Sequence, residues 1–569
     1  MAEHDLIIRG ATLYDGTGAA PRQADLAAKG GRISAIGTNL GDAAETLDAD
    51  GLALSPGIID IHTHFDAQLT WDPWANPSPG LGVTTVVIGN CGFTIAPCKP
   101  PHRDITARNL CNVEGMSIAA LRAGIDWDFE SFPEYLDSLE RRGVGPNVAT
   151  FCGHSSVRTW VMGDDATNRT ATDDEVIQMA DLVREAMSAG AVGFSTSTFE
   201  GHNGDGGVPM PSLSAAESEI LSLTEAMGEA GRGIFMLTKG GDTSIDFLES
   251  LAVGSGRPIM IAALVHSSAR PDGTFADLRA IAAANRRGHE LYGQVSCTPI
   301  TMDFTLRNPY LMESYAAWHP VMEADADAMP GVYADPAFRT AMKAELEDQS
   351  RLRVFNGDWS RIRVAEAASP ANRAMEGRSV AELAGKAEKH PLDWLLDFAA
   401  SENLDTFFSS TLLNSDENAV GRLIADPHST IGLGDAGAHL TFFCDAGFGL
   451  HLYGHWVRER GALSLEEAVH ATTGRQADIY RIPERGRLIA GNWADLLLFD
   501  PATVARSPNR RVNDLPAEAS RLTCDPVGVE GVWINGSRVA GLDGRRGLSG
   551  GSDMLLRYWS SEAGEELCP

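Results

Sequence analysis

Residues 57–66 read Gly57-Ile58-Ile59-Asp60-Ile61-His62-Thr63-His64-Phe65-Asp66. An apolar run ends here in two histidines one residue apart. On a β-strand, residues i and i+2 point to the same side, so His62 and His64 project together. Imidazole is the commonest metal-ligating side chain. Pro56-Gly57 punctuates the chain just before the run. By itself His-x-His is a weak motif, more often an ordinary pair at a strand end than a metal site. Its meaning depends on what surrounds it.

Upstream, the chain is β in texture. Leu6-Ile7-Ile8 and Ala11-Thr12-Leu13-Tyr14 flank Arg9-Gly10, and Asp15-Gly16-Thr17-Gly18 closes a hairpin-like unit. Short strands continue to residue 54. Downstream, strand-like runs alternate with helical ones. The strands are expected at Gly57–His62, Val83–Gly89, Asn147–Cys152, Ala191–Ser195, Gly233–Thr238, Pro258–Val265, Glu290–Val295 and Thr430–Gly434. Helices are expected at Asp174–Ser188, Leu213–Glu229 and Thr274–Arg287. Buried-type strands separated by helices predict an α/β fold with a parallel sheet closed as a (β/α)8 TIM-like barrel. A doubly wound open sheet is the alternative, weakened because no G-x-G-x-x-G follows the first strand.

One interval is too long for a loop. Between the seventh strand at 295 and the eighth at 430 lie helix-like runs at Asp335–Gln349, Val380–Lys386 and Asp393–Ser401. Residues 298–428 therefore read as a helical insertion, a lid at the barrel mouth. Past the barrel, Leu463–Ala471 reads as a helix with Ser464 and Glu467 as a capping box. β texture then returns at Ala494–Asp500 and Gly531–Val539, with Asn535-Gly536 as a hairpin signal. The expected domains are a small β-sandwich from both chain ends (1–55 and 484–545), the barrel (56–483) and a C-terminal tail (546–569).

Composition limits the functions available. Apolar residues make up 43% of the 569 and charged residues 22%, as in a globular chain. The net charge of −31 argues against nucleic acid and anionic membrane surfaces as partners. No apolar run reaches a membrane span and the start carries no signal-peptide pattern, so a cytoplasmic location is expected. The eight cysteines are scattered, which suits reduced thiols. A small-molecule substrate is the expected partner, and self-association is left open.

In a barrel enzyme the site lies at the C-terminal ends of the strands. Those ends carry His62 and His64, Cys91, His154, Lys239, His266, and Asp435 with His439. Metal-capable side chains at so many separate ends are hard to obtain by chance. A His, Cys and carboxylate set suits zinc.

The motifs Tyr14–Gly18, Pro56–His64, Gly89–Phe93, Gly153–Arg158, Gly190–Thr196, Gly434–His439, His455–Gly461 and Ala494–Asp500 together resemble the amidohydrolase superfamily, in its N-acyl-D-amino-acid deacylase (D-aminoacylase) branch. The resemblance implies a metal-dependent hydrolase of amide C–N bonds in N-acyl amino acids, expected to be of D configuration, with one or two zinc ions. It implies that His62, His64 and Asp435 bind zinc, that Cys91 bridges, and that His266 is the sixth-strand ligand. Asp435 would also be the catalytic general acid/base acting with a metal-activated water. The branch carries Thr-His-x-Arg at strand five; this chain has Thr238-Lys239-Gly240-Gly241. Lys239 could ligate only if carbamylated, and otherwise weakens one metal site or contacts substrate. His154, Arg158 and His439 are candidate substrate contacts, and Arg361, Arg363 and Arg373 candidate carboxylate clamps. A different linear or cyclic amide as substrate, and a catalytically inactive binding relative, are the alternatives.

Overall fold

A computed structural model describes residues 2–307, 310–313, 315–348, 355, 357–441 and 443–541. The tail expected at 546–569 lies outside the described residues. The chain divides into two compact units. The first holds residues up to Val265, Thr274–Thr298, and the chain from Asn418 onward; the second holds His266–Gly273 and Pro299–Glu417.

The first unit is built on eight parallel strands in chain order: Ile58–Asp60, Val83–Ile88, Asn147–Gly153, Gly193–Ser197, Ile234–Thr238, Ile259–Ala262, Leu291–Val295 and Ser429–Ile431. All eight coincide with the runs expected from sequence. The second to fifth strands are buried at every residue. Strands covered on both faces need apolar and β-branched runs of this kind, and Val83-Thr84-Thr85-Val86-Val87-Ile88 is one. The sheet closes on itself just beyond the ends of its first and eighth strands. Thr63 forms a parallel bridge with Ala436, and His64 N–H donates to the Ala436 carbonyl at 2.7 Å. These bonds make a TIM-like barrel and bring the His62–His64 stretch beside Asp435.

Helices return the chain between strands. Asp173–Ala189 opens with a capping box of Thr172 and Glu175, and Leu465–Thr472 with the expected box of Ser464 and Glu467. No helix among the described residues is long and apolar enough to cross a membrane.

Both chain ends meet in one eight-stranded β-sheet. His4–Leu13 pairs antiparallel with Arg22–Lys29 on one side. On the other it pairs parallel with Ala43–Asp48 and then Ala53–Pro56, so the sheet forks. Leu496–Phe499 joins from the far end of the chain and pairs with Ala53–Pro56. Its alternation divides two cores: Leu496 and Leu498 enter a small cluster with Leu6, Ile8, Leu26 and Trp533, while Leu497 and Phe499 join the barrel core. The Asn535-Gly536 turn connects Val529–Ile534 to Ser537–Gly541 as an antiparallel hairpin.

The second unit has its own core, including Trp318, Tyr333, Leu392, Leu395 and Phe408. It is not only helical. Ile300–Phe304, Phe407–Leu413 and Ile362–Glu366 form an antiparallel sheet with Phe407–Leu413 in the middle. These strands come from distant points of the insertion, so no local hairpin signal announces them.

Candidate metal centre

His62 and His64 follow the first barrel strand and are 1% and 3% exposed. Cys91 lies in the turn Asn90–Gly92 after the second strand, at φ +57°. Asp435 and His439, after the eighth strand, stand at φ +48° and +53°. Non-glycine residues rarely adopt this left-handed region, and they persist there where the surroundings over-determine them, often at functional sites. Gly437 makes the turn between Asp435 and His439 possible: a Cβ there would stand 2.8 Å from the His64 carbonyl.

The side chains converge. Cys91 Sγ is 3.4 Å from His62 Nε2 and 3.9 Å from His64 Nε2. Asp435 Oδ1 is 3.5 Å from His62 Nε2 and 3.1 Å from His64 Nε2. A tetrahedral zinc ion with Zn–N near 2.05 Å and Zn–S near 2.3 Å has ligand–ligand edges of about 3.3–3.6 Å. His62, His64 and Cys91 converge at spacings that fit a metal ion by both chemistry and distance, and the Asp435 carboxylate touches both histidines beside them. Asp435 is the accessible corner, its side chain 21% exposed against 2–3% for the histidines.

Of the histidines' other nitrogens, that of His62 makes a hydrogen bond, and that of His64 lies near a carboxylate without one among the described residues. His62 Nδ1 is 2.7 Å from Gln294 Oε1, and His64 Nδ1 is 3.2 Å from Glu114 Oε1. Gln294 and Glu114 are buried and were not singled out in the sequence. Gln294 had a signal: it is a polar residue inside a buried-type strand, where an amide must find a partner. Glu114 follows a helix in an unremarkable stretch and had none. Thr238, at the end of the fifth strand, reaches Cys91 Sγ at 3.1 Å.

Electrostatics follow from burial and these partners. Burial pushes His62 down to about 4, against the pull of Asp435. Burial also disfavours charge on His64, but Glu114, Asp435 and Cys91 outweigh it and hold the ring well above the ordinary histidine range. Burial raises the Cys91 thiol, partly offset by His64. Burial would raise Asp435 too, yet His439 and His64 keep it well below the usual carboxylate range.

Other residues named from sequence fall elsewhere. Lys239 Nζ lies 3.4 Å from Asp277 Oδ2. His266 belongs to the second unit, where its N–H donates to Asn414 Oδ1 and its carbonyl accepts from Asn414 N–H. Its buried Nδ1 has no hydrogen-bond partner among the described residues. His439 Nε2 is 3.5 Å from Asp435 Oδ2, beside the convergent group. His154 and Arg158 are 0% exposed and both bind Glu219; His154 Nε2 is 2.8 Å from Glu219 Oε1 and its Nδ1 2.7 Å from Thr196 Oγ1. That burial gives a substrate no surface on them. Arg361 pairs with Asp358, and Arg363 donates to the Gly377 carbonyl.

The model of the Amidohydrolase family matches residues 45–540. An N-acyl-D-aspartate deacylase of Alcaligenes xylosoxydans xylosoxydans is 30% identical over 553 residues, covering 96% of this chain and 93% of the relative. The solved N-acyl-D-glutamate deacylase from Bordetella bronchiseptica, complexed with zinc and a phosphonate mimic of the tetrahedral intermediate, is 25% identical. Its TM-score is 0.64, covering 94% of this chain and 96% of its own. A D-aminoacylase with a binuclear metal centre, described by one-metal activation and second-metal attenuation, is 25% identical at TM-score 0.65, covering 96% and 98%. The chain belongs to the amidohydrolase family, in its D-aminoacylase branch.

Proposed function

We propose that this hydrolase of amide C–N bonds deacylates N-acyl-D-amino acids, with zinc held by His62, His64 and Cys91 and with Asp435 as general base and acid. The observation that carries the reading is the convergence of two imidazole nitrogens and a thiol, with the Asp435 carboxylate against both imidazoles. The chemistry a zinc ion supplies when bound is Lewis acidity toward water and toward an amide carbonyl.

The residues provide the rest. Asp435 is kept ionised by His439 and His64 despite its burial, so at neutral pH it can take up a proton. It is also the most accessible member of the group, its side chain 21% exposed, where a leaving amine nitrogen could recover that proton. His439, 3.5 Å from the second Asp435 oxygen, steadies the carboxylate. The relatives named for acidic D-amino acids support the substrate class. The ion pair of Lys239 with Asp277, where the branch carries a histidine, favours one working metal ion over two. The same change also removes that motif's arginine, which keeps a cyclic amide as the second reading.

The test is a panel of N-acyl-D-amino acids, N-acyl-L-amino acids and cyclic amides assayed with the zinc-loaded enzyme. Selective turnover of the D series is expected. Turnover of cyclic amides alone would replace the substrate reading.

A further inference from the structure

The two histidines of the metal centre are backed by different groups. Behind His62 is a neutral amide, Gln294 Oε1 at 2.7 Å. Behind His64 is a carboxylate, Glu114 Oε1 at 3.2 Å. Gln294 is fully buried and its Nε2 donates to the Gly432 carbonyl at 3.3 Å. A carbonyl cannot donate, so the amide must present its NH2 to Gly432 and its oxygen to His62. An amide oxygen only accepts, so the proton of a neutral His62 sits on Nδ1 and its lone pair on Nε2. Glu114 makes no hydrogen bond to His64 Nδ1 and acts on the ring through its negative charge at 3.2 Å. That carboxylate is 2% exposed, so water screens it little.

We infer that Gln294 is a positioning residue that turns the Nε2 lone pair of His62 toward Cys91, and that Glu114, a buried carboxylate against His64, strengthens the hold of the site on a divalent cation by its charge. The inference rests on the zinc reading above. A carboxylate behind a ligating imidazole raises its basicity and contributes to neutralising a divalent ion. The backbone ties Glu114 to the same site, because its carbonyl accepts the His439 N–H.

The experiment measures zinc affinity by competition with a chromogenic chelator, starting from metal-free protein, and the visible spectrum of the cobalt-loaded form. In Glu114→Gln the affinity should fall about tenfold to a hundredfold. The thiolate-to-cobalt absorption should persist, because Cys91 is untouched, while the ligand-field bands shift. Adding Gln294→Glu to that variant moves the charge behind His62 and should recover most of the loss. A merely structural role would not be rescued this way. If Glu114→Gln binds zinc as tightly as the wild type, the inference is overturned. Should Glu114→Gln not fold, Gln294→Glu alone decides: tighter zinc supports the inference, unchanged or weaker zinc contradicts it. A wild-type chain that takes up no zinc would instead sink the zinc reading, and this inference with it.

Discussion

Two buried polar clusters sit at the ends of barrel strands, and each contains histidine at a motif position. In one, His154 and Arg158 surround Glu219, and Arg158 also donates to the Ala166 and Arg169 carbonyls. One cation, Arg158, one anion, Glu219, and the His154 ring balance within the cluster, which is closed. In the other, His62, His64, Cys91 and Asp435 turn electron-pair donors toward one another. Donors converge without cost only when a cation or protons belong between them. A histidine at a strand end is therefore uninformative until the charge of its neighbours is known.

The comparison breaks most visibly at Asp435. Asp435→Asn should lower kcat/KM for amide hydrolysis by about a hundredfold to ten-thousandfold while zinc content stays unchanged, the usual range for losing a general base. Full activity in that variant would remove Asp435 from the chemistry. In the closed cluster the effect should be on folding. Glu219→Ala leaves Arg158 buried and unpaired, and urea unfolding should show a loss of about 3–5 kcal/mol. A loss below about 1 kcal/mol would mean that water or another group compensates.

Asp445 sharpens the contrast, being a buried acid whose hydrogen-bond donors among the described residues are hydroxyls, with the Arg506 charge acting on it without a hydrogen bond. Its carboxylate accepts from Thr298, its Oδ1 has no partner among the described residues, and burial pushes it up to about 8. Its unfolded value is about 3.9. A raised folded value contributes stability below pH 4 that is lost as pH rises toward 8. Asp445→Asn, which stays neutral, should therefore gain in Tm over the wild type progressively from pH 4 to pH 8. A Tm difference independent of pH would contradict the assignment. The smallest effect is expected at Lys239. Its partly exposed pair with Asp277 is worth about 0–1 kcal/mol, so Lys239→Met should leave zinc binding intact and stability within that range. Loss of a zinc ion in that variant would put Lys239 back among the ligands.

Much of this was legible in the sequence. The eight barrel strands were visible because strands buried on both faces need unbroken apolar, β-branched runs, as at Val83–Ile88. The hairpin at Asn535-Gly536 and the Ser464 cap were visible because each is a local rule. The sheet within the insertion was not, since Ile300–Phe304 and Phe407–Leu413 find each other only in space. His62, His64, Cys91 and Asp435 could be named because strand ends converge in a closed barrel. Glu114 could not, because its position after a helix carries no periodic or motif signal. For His154 and Arg158 the residue types suggested a ligand, and only the tertiary contact with Glu219 shows them to be a closed ion cluster.

The central claim is that His62, His64 and Cys91 hold a catalytic metal ion. Equilibrium dialysis of metal-free protein against zinc, with the wild type beside Cys91→Ala, tests it most directly. The account predicts about one tightly held zinc ion per wild-type chain, as for a three-ligand catalytic site, and its loss in Cys91→Ala. Equal zinc uptake by both proteins would contradict it.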